Sequence, residues 1–291
     1  MIQKALITGS KGQLGNELQV LAKNIENIQF YFTDLPELDI TNADAISTFV
    51  TNHAIDCIIN CAAYTAVDKA ESEQDIAYKV NALAAENLAK VAESKNIKFI
   101  HISTDYVFDG TNYFPYYENF ATGPTSVYGW TKLAGEEFVL SSKAKAIIIR
   151  TSWLYSCFGN NFVKTMLKLG REKEQIQVIF DQVGTPTYAR DLAVAILNII
   201  QSKLFFDPDF VSRIYHFSNE GVCSWYDFAC SIMEIAQLNC KVLPIHSAQY
   251  KTIVQRPHYS VLDKSKIKND LNIEIPQWRE SLKDCLKVLL K

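Results

Sequence analysis

The sequence predicts an α/β protein, a doubly wound parallel sheet followed by a smaller C-terminal lobe. Two observations carry that prediction. Short apolar runs alternate with helical patterns through residues 1–150, and a glycine-rich turn stands directly after the first run. Such alternation implies parallel strands covered by helices on both faces, because each crossover must return along the sheet.

In order, the strands are expected at Ala5–Thr8, Ile28–Phe32, Cys57–Cys61, Phe99–Ile102 and Ala146–Ile149. Between them Leu14–Ala22, Ala43–Asn52, Asp75–Ser94 and Tyr128–Leu140 carry apolar residues at helical spacing. After Arg150 the pattern loosens. Helices are expected at Asn161–Leu169, Arg190–Ile200, Trp225–Ala236 and Ser281–Leu289, with short strands at Gln177–Phe180 and Ile214–Phe217. Residues 1–150 therefore read as a dinucleotide-binding domain. Residues 151–291 read mainly as a substrate-binding lobe, with segments crossing between the two.

Composition narrows the function class. Of 291 residues, 48% are hydrophobic and 21% charged, the balance of a soluble globular chain. A net charge of −3 offers no basic surface for nucleic acid. The apolar stretch Leu192–Ile200 is too short to span a bilayer and contains Asn198. No charged leader with a long apolar core opens the chain, so a cytoplasmic protein is expected. Seven cysteines form no C-x-x-C pair and read as small core residues in a reducing compartment. Five scattered histidines lack metal-ligand spacing, so no metal site is expected.

Gly9, Gly12 and Gly15 follow the first strand at G-x-x-G-x-x-G spacing. Glycine lets backbone N–H groups approach a pyrophosphate, and the next helix offers its positive end to that anion. A tight turn alone would need the same residues. The strand before and the helix after favour a dinucleotide, hence a Rossmann-type sheet. Asp34 follows the second strand, roughly 20 residues beyond the glycines, where a carboxylate can bind a ribose diol. That favours NADH, although Lys11 could accommodate a phosphate. Asp39-Ile40 could flank the adenine, and either acid could equally be a solvated loop residue. Small residues in Asn60-Cys-Ala-Ala-Tyr64 leave room for cofactor ribose.

Tyr128 and Lys132 stand four residues apart and so can share a helix face. A phenol holds its proton to about pH 10, and a nearby ammonium should lower that value. Ser103 and Thr104 end the fourth strand, where a hydroxyl can hydrogen-bond a substrate carbonyl. Tyr128 would protonate the carbonyl oxygen as hydride reaches the carbon, a contribution of about 10²–10⁴-fold. Lys132 would hold the nicotinamide ribose. Singly, Y-x-x-x-K is a weak pattern and Thr104 could be a strand-end cap. The argument rests on their conjunction with the glycine turn.

These residues resemble an extended short-chain dehydrogenase/reductase, and more closely the dTDP-4-dehydrorhamnose reductase family. The closer likeness lies in Ala62-Ala-Tyr-Thr-Ala-Val-Asp-Lys-Ala-Glu71, Ser103-Thr-Asp-Tyr-Val-Phe-Asp-Gly110 and Val127-Tyr-Gly-Trp-Thr-Lys-Leu-Ala-Gly-Glu136. It continues through Arg150-Thr-Ser-Trp-Leu-Tyr155, Gly159-Asn-Asn-Phe-Val-Lys-Thr-Met166 and Asp181-Gln-Val-Gly-Thr-Pro-Thr187. The resemblance implies reduction of the C4 ketone of dTDP-4-dehydro-β-L-rhamnose by NADPH or NADH. It implies catalytic Thr104, Tyr128 and Lys132, with substrate contacts from Asp105 and Trp153. Cofactor contacts are implied at Gly12, Gln13, Leu14, Asp34, Asp39, Ile40, Ala62, Ala63 and Tyr64. Arg256, before Pro257, is a candidate diphosphate contact or else a surface arginine before a turn.

One departure bears on assembly. Glu17 matches an acid that holds interfacial Mg²⁺ in some members of the family, but Arg190 stands where another carboxylate is expected. An arginine repels a cation. A monomer, or a homodimer without Mg²⁺ in its interface, is expected. Two other readings share the scaffold: a 4,6-dehydratase or 4-epimerase, and a regulatory subunit without turnover. Tyr106 stands where dehydratases carry a glutamate, which argues against elimination. The complete Thr104, Tyr128 and Lys132 set argues against a pure binding module.

Overall fold

The computed structural model describes residues 2–207 and 209–291. Its frame is a six-stranded parallel sheet of β1 (Lys4–Thr8), β2 (Gln29–Thr33), β3 (Cys57–Asn60), β4 (Lys98–Thr104), β5 (Lys145–Thr151) and a last strand, Arg213–His216. Across the sheet the order is Arg213–His216, β5, β4, β3, β1, β2. The chain therefore leaves β1 toward β2 and returns to place β3 on the other side. Such a reversal opens a crevice at the carboxyl ends of β1 and β3.

Alternate side chains along each strand enter opposite layers, as the period of two requires. Ala5 and Ile7 of β1 and Ile59 of β3 meet Leu14 and Leu18 of α1 (Gln13–Ala22) and Leu192 and Ile196 of the Ala189–Ile199 helix. Leu6, Ile58 and Phe99 face the other way, onto Ile46 and Val50 of α2 (Ala43–His53) and Leu88 and Ala89 of the Ala84–Lys95 helix. The inner strands β1, β3, β4 and β5 are buried on both faces, which explains their continuous apolar runs.

The Ile214–Phe217 run is a strand, Arg213–His216, and it crosses back to extend the first sheet by pairing in parallel with β5. Periodicity identifies a strand and says nothing about its neighbour. The expected Asp75–Ser94 helix is three pieces: Gln74–Tyr78, a π-helical turn at Lys79–Leu83, and Ala84–Lys95. The π turn presents Asn81 inward, where its amide accepts from the Tyr64 N–H and donates to the Tyr64 carbonyl and Thr131 Oγ1. π turns often interrupt helices at functional sites.

Beyond β5 the Phe162–Glu172, Trp225–Ile235 and Trp278–Leu289 helices pack around a separate core that includes Val163, Met166, Phe228, Ile232, Trp278 and Leu282. A parallel pair, Gln175–Ile179 with Lys241–Ile245, borders it. No helix among the described residues is long and apolar enough to cross a membrane.

Candidate active site

Tyr128 and Lys132 lie on the Val127–Ser141 helix, whose start is held by two acceptors. Ser126 Oγ accepts from the Gly129 N–H at 3.1 Å, and Glu71 Oε1 accepts from the Val127 N–H at 2.9 Å. These satisfy amides that a helix start leaves without intrahelical partners. Gly129 lets the helix lie against the loop after β4, since a Cβ there would stand 2.2 Å from the Tyr106 carbonyl oxygen. Thr104 is thereby brought to Tyr128. Its Oγ1 accepts from the Tyr106 N–H at 3.2 Å and donates to Asp105 Oδ1 at 3.0 Å.

The electrostatics differ from expectation at one point. Burial pushes the Tyr128 phenol up to about 12, against a weaker downward pull from its hydrogen bond with Thr104, and Asp105 raises it further. The anticipated lowering by Lys132 is absent, and the Lys132 side chain bonds to β4 rather than to the phenol. Lys132 Nζ donates to the Ile102 carbonyl at 2.6 Å and lies 3.4 Å from His101 Nε2. Burial brings Lys132 itself down to about 8, opposed by Glu136. Burial thus keeps the proton on Tyr128 and, of the two, brings only Lys132 toward neutrality.

Glu136 lies one further turn along the same face. Its carboxylate accepts from Arg150 Nε at 3.0 and 3.1 Å, from Arg150 Nη2 at 2.7 Å, and from Ser103 Oγ. Both ion-pair partners are buried, and the guanidinium also covers the Phe108 ring at 5.0 Å. Ser103 therefore faces this buried pair, leaving Thr104 as the strand-end hydroxyl beside Tyr128.

The crevice at β1 and β3 is a cleft of about 330 Å³ lined by Gly9, Gly12, Asp34, Asp39, Ile40, Ala62, Ala63 and Tyr64, among others. Gly9 adopts φ +67°, and a Cβ there would meet the Ala62 backbone at 2.5 Å, so the two walls touch only because Gly9 has no side chain. Gly15 packs under the same turn, where a Cβ would lie 2.4 Å from the Gly9 carbonyl oxygen. Asp34 accepts from the Lys11 and Leu35 N–H groups at 3.0 and 2.9 Å, and Asp39 from Thr41 at 2.8 Å. Tyr64 donates to Glu73. This narrow, amide-edged cleft suits the adenosine end of a dinucleotide. Five expected contacts, Gln13, Leu14, Gly15, Tyr128 and Lys132, are not among its lining residues. Leu14 points into the core, and Gln13 Oε1 accepts from Asn161 of the second half at 2.9 Å.

Across the sheet ends lies a larger pocket of about 750 Å³, lined by Tyr106, Trp153, Met166, Trp225, Arg256 and Ser260, among others. Trp153 has φ +47°, and its indole stacks on Trp225 at 3.6 Å and 10°. The indole also lies against Gly184, where a Cβ would approach within 2.7 Å. Asp105, next to the lining residue Tyr106, is buried, and burial pushes its carboxyl up to about 6. Its Oδ2 has no hydrogen-bond partner; Ser260 is close enough to moderate the shift but not in bonding geometry. Arg256 is paired with Asp68, Nη1 and Nη2 donating at 2.8 and 2.6 Å. Gly184, Glu136 and Asp68 carried no signal as site residues beyond their place in the motif stretches, and Trp225, outside those stretches, is brought here by tertiary packing alone.

The RmlD substrate binding domain family matches residues 3–291. The chain belongs to this family. A dTDP-4-dehydrorhamnose reductase from Aggregatibacter actinomycetemcomitans is 40% identical over 287 residues, covering 97% of each chain. A crystal structure of a dTDP-4-dehydrorhamnose reductase from Clostridium acetobutylicum superposes with a TM-score of 0.93 at 42% identity, covering 99% of this chain and 100% of the other. The Bacillus anthracis dTDP-4-dehydrorhamnose reductase, solved in complex with NADP, has the same TM-score at 40% identity and the same coverage. The fold class and the family resemblance drawn from sequence agree with these matches.

Glu17, the residue matching an interfacial metal ligand of some relatives, faces inward. It is 1% exposed and accepts from Ser156 Oγ at 2.6 Å and Cys157 Sγ at 3.5 Å. Among the described residues no group of three acidic, histidine or cysteine side chains is arranged to hold a metal.

Proposed function

We propose that this chain reduces the C4 ketone of dTDP-4-dehydro-β-L-rhamnose to dTDP-β-L-rhamnose, with hydride from NADPH or NADH. The observation that carries the reading is the hydrogen bond between Thr104 and Tyr128, on the helix that also carries Lys132, in a chain that holds a glycine-walled cleft and a Trp153 pocket and matches such reductases end to end. Gly9, Gly12, Asp34, Asp39, Ile40, Ala62, Ala63 and Tyr64 would hold the dinucleotide, with the α1 start of Gln13, Leu14 and Gly15 offering its amide end to the pyrophosphate. The bound nicotinamide supplies the hydride. The protein's part is electrostatic and positional: Thr104 holds the ketone oxygen, Tyr128 protonates it, and Lys132 orients the ribose and adds positive charge.

Residues 1–150 then serve mainly as the dinucleotide-binding domain and residues 151–291 as the substrate lobe. In the lobe Trp153 and Arg256 face the sugar nucleotide, and Asp105 reaches it from the sheet. Net charge argues against nucleic acid as a partner. A cytoplasmic location follows from a soluble cofactor and substrate. Inward-facing Glu17 supports a monomer or a dimer without interfacial Mg²⁺, so sedimentation should be the same with EDTA and with Mg²⁺; magnesium-dependent dimers would refute this. The reaction is tested by following NADPH and NADH oxidation with enzymatically generated dTDP-4-dehydrorhamnose. No oxidation with either cofactor would remove the reading, and stoichiometric NAD in the purified protein would favour an epimerase.

A further inference from the structure

A buried polar chain runs from the glycine turn to Lys132. Thr8 Oγ1 donates to Asn60 Oδ1 at 2.7 Å, and the Ala62 N–H donates to the same oxygen at 3.1 Å. A backbone N–H can only donate, so Ala62 decides which end of the Asn60 amide is oxygen. The other end, Nδ2, lies 3.1 Å from His101 Nδ1. An amide NH₂ also only donates, so Nδ1 carries a lone pair and the proton of the neutral ring sits on Nε2. Asn60 and His101 are each 1% exposed, which leaves no solvent to invert this order. Burial, and then the charge of Lys132, holds His101 well below the ordinary histidine range, so the ring is neutral. Its Nε2 faces Lys132 Nζ at 3.4 Å.

We propose that Asn60 and His101 are positioning residues that form a tautomer lock, presenting the imidazole Nε2–H to Lys132 Nζ and favouring the free amine over the ammonium. A free amine can accept that N–H, whereas an ammonium meets it donor to donor. Hydrogen bonding to the neutral form of a group disfavours its charged form. The other groups facing Lys132 are few. Ile102 supplies a carbonyl acceptor from β4, and Tyr128 and Glu136 stand one turn to either side on its own helix. Glu136 draws Lys132 toward the ammonium. Cys61, after β3, is kept protonated by burial and contributes no charge near neutrality. The lock therefore opposes Glu136, and the two leave Lys132 with an adjustable charge beside the proton donor. The same chain ties that charge to the glycine turn through Thr8. Only this consequence for catalysis rests on the reductase reading; the lock is a matter of hydrogen positions.

The test needs no substrate. In ¹⁵N-histidine-labelled protein, two-bond ¹⁵N–¹H spectra should show His101 as the neutral Nε2–H tautomer throughout, from about pH 6 to pH 9. Resonances that persist when each of the other four histidines is replaced supply the assignment. An Nδ1–H tautomer or an imidazolium at this position overturns the proposal. In ¹³C-lysine-labelled protein the Lys132 signal, assigned with Lys132→Met, should titrate about one unit or more higher in His101→Leu than in wild type. Asn60→Ala should mix the His101 tautomers and raise Lys132 in the same direction. An unchanged or lowered Lys132 midpoint in a folded variant sinks the idea, and should both variants fail to fold, the wild-type tautomer decides. Because neither readout involves the ketosugar, failure of the lock and failure of the reductase reading are seen separately.

Discussion

Tyr128 and Lys132 share a helix face, yet their charges are set more by what surrounds them than by each other. Burial holds the Tyr128 proton up to about 12, and burial brings Lys132 down to about 8. Tyr128→Phe should lower kcat by about 10²-fold or more while leaving cofactor affinity within a few-fold. Near-wild-type turnover of that variant would end its role as donor. The rate should fall as pH rises through about 8, where Lys132 loses its charge; a profile flat across that range would contradict the ribose role. Asp105 makes a stability prediction of the opposite sense to most carboxylates. Its folded value is raised to about 6, so ionising it costs folding free energy as pH rises from the ordinary carboxyl range through 6. Asp105→Asn should therefore stabilise the fold at pH 8 by on the order of 2 kcal/mol and by nothing well below pH 4. Urea unfolding at the two pH values checks it, and an equal effect at both would show that the carboxyl is not destabilised.

At the scale of elements, the Val127–Ser141 helix concentrates the chemistry. Tyr128, Lys132 and Glu136 repeat every four residues, so one face carries the donor, the cation and the buried acid. Arg150 on β5 answers that acid, fastening the helix to the sheet. Glu136→Ala leaves Arg150 buried without its partner and should cost about 3–5 kcal/mol in chemical denaturation. A loss below about 1 kcal/mol would mean that water or another group relieves Arg150. Much of this element was readable beforehand, since its limits and the Tyr128/Lys132 face follow from local spacing. The π turn at Lys79–Leu83 was not, because the phase shift of one extra residue cannot be read against the short helix Gln74–Tyr78 that precedes it. Its position answers to Asn81 bonding Tyr64 and Thr131, two partners distant in sequence.

For the whole molecule, the site depends on contacts across the two halves. Asp68, after β3, pairs with Arg256 at the far pocket wall, and Trp153 is held against Gly184 and Trp225. Arg256→Ala should raise KM for the sugar nucleotide by about 10-fold or more, yet cost no more than about 1 kcal/mol of stability, as expected for a partly exposed pair. An unchanged KM would leave Arg256 as a surface ion-pair residue only. The sequence alone determined the parallel α/β frame, the glycine turn and the Tyr128/Lys132 face, because each is written in spacing shorter than two turns or one strand. Only the tertiary structure decided that Arg213–His216 completes the first sheet, that Glu17 turns inward, that burial raises the Tyr128 phenol with no lowering from Lys132, and which groups meet Trp153 and Arg256. Those outcomes depend on partners tens to hundreds of residues away and on loss of solvent, and neither leaves a local pattern in the chain.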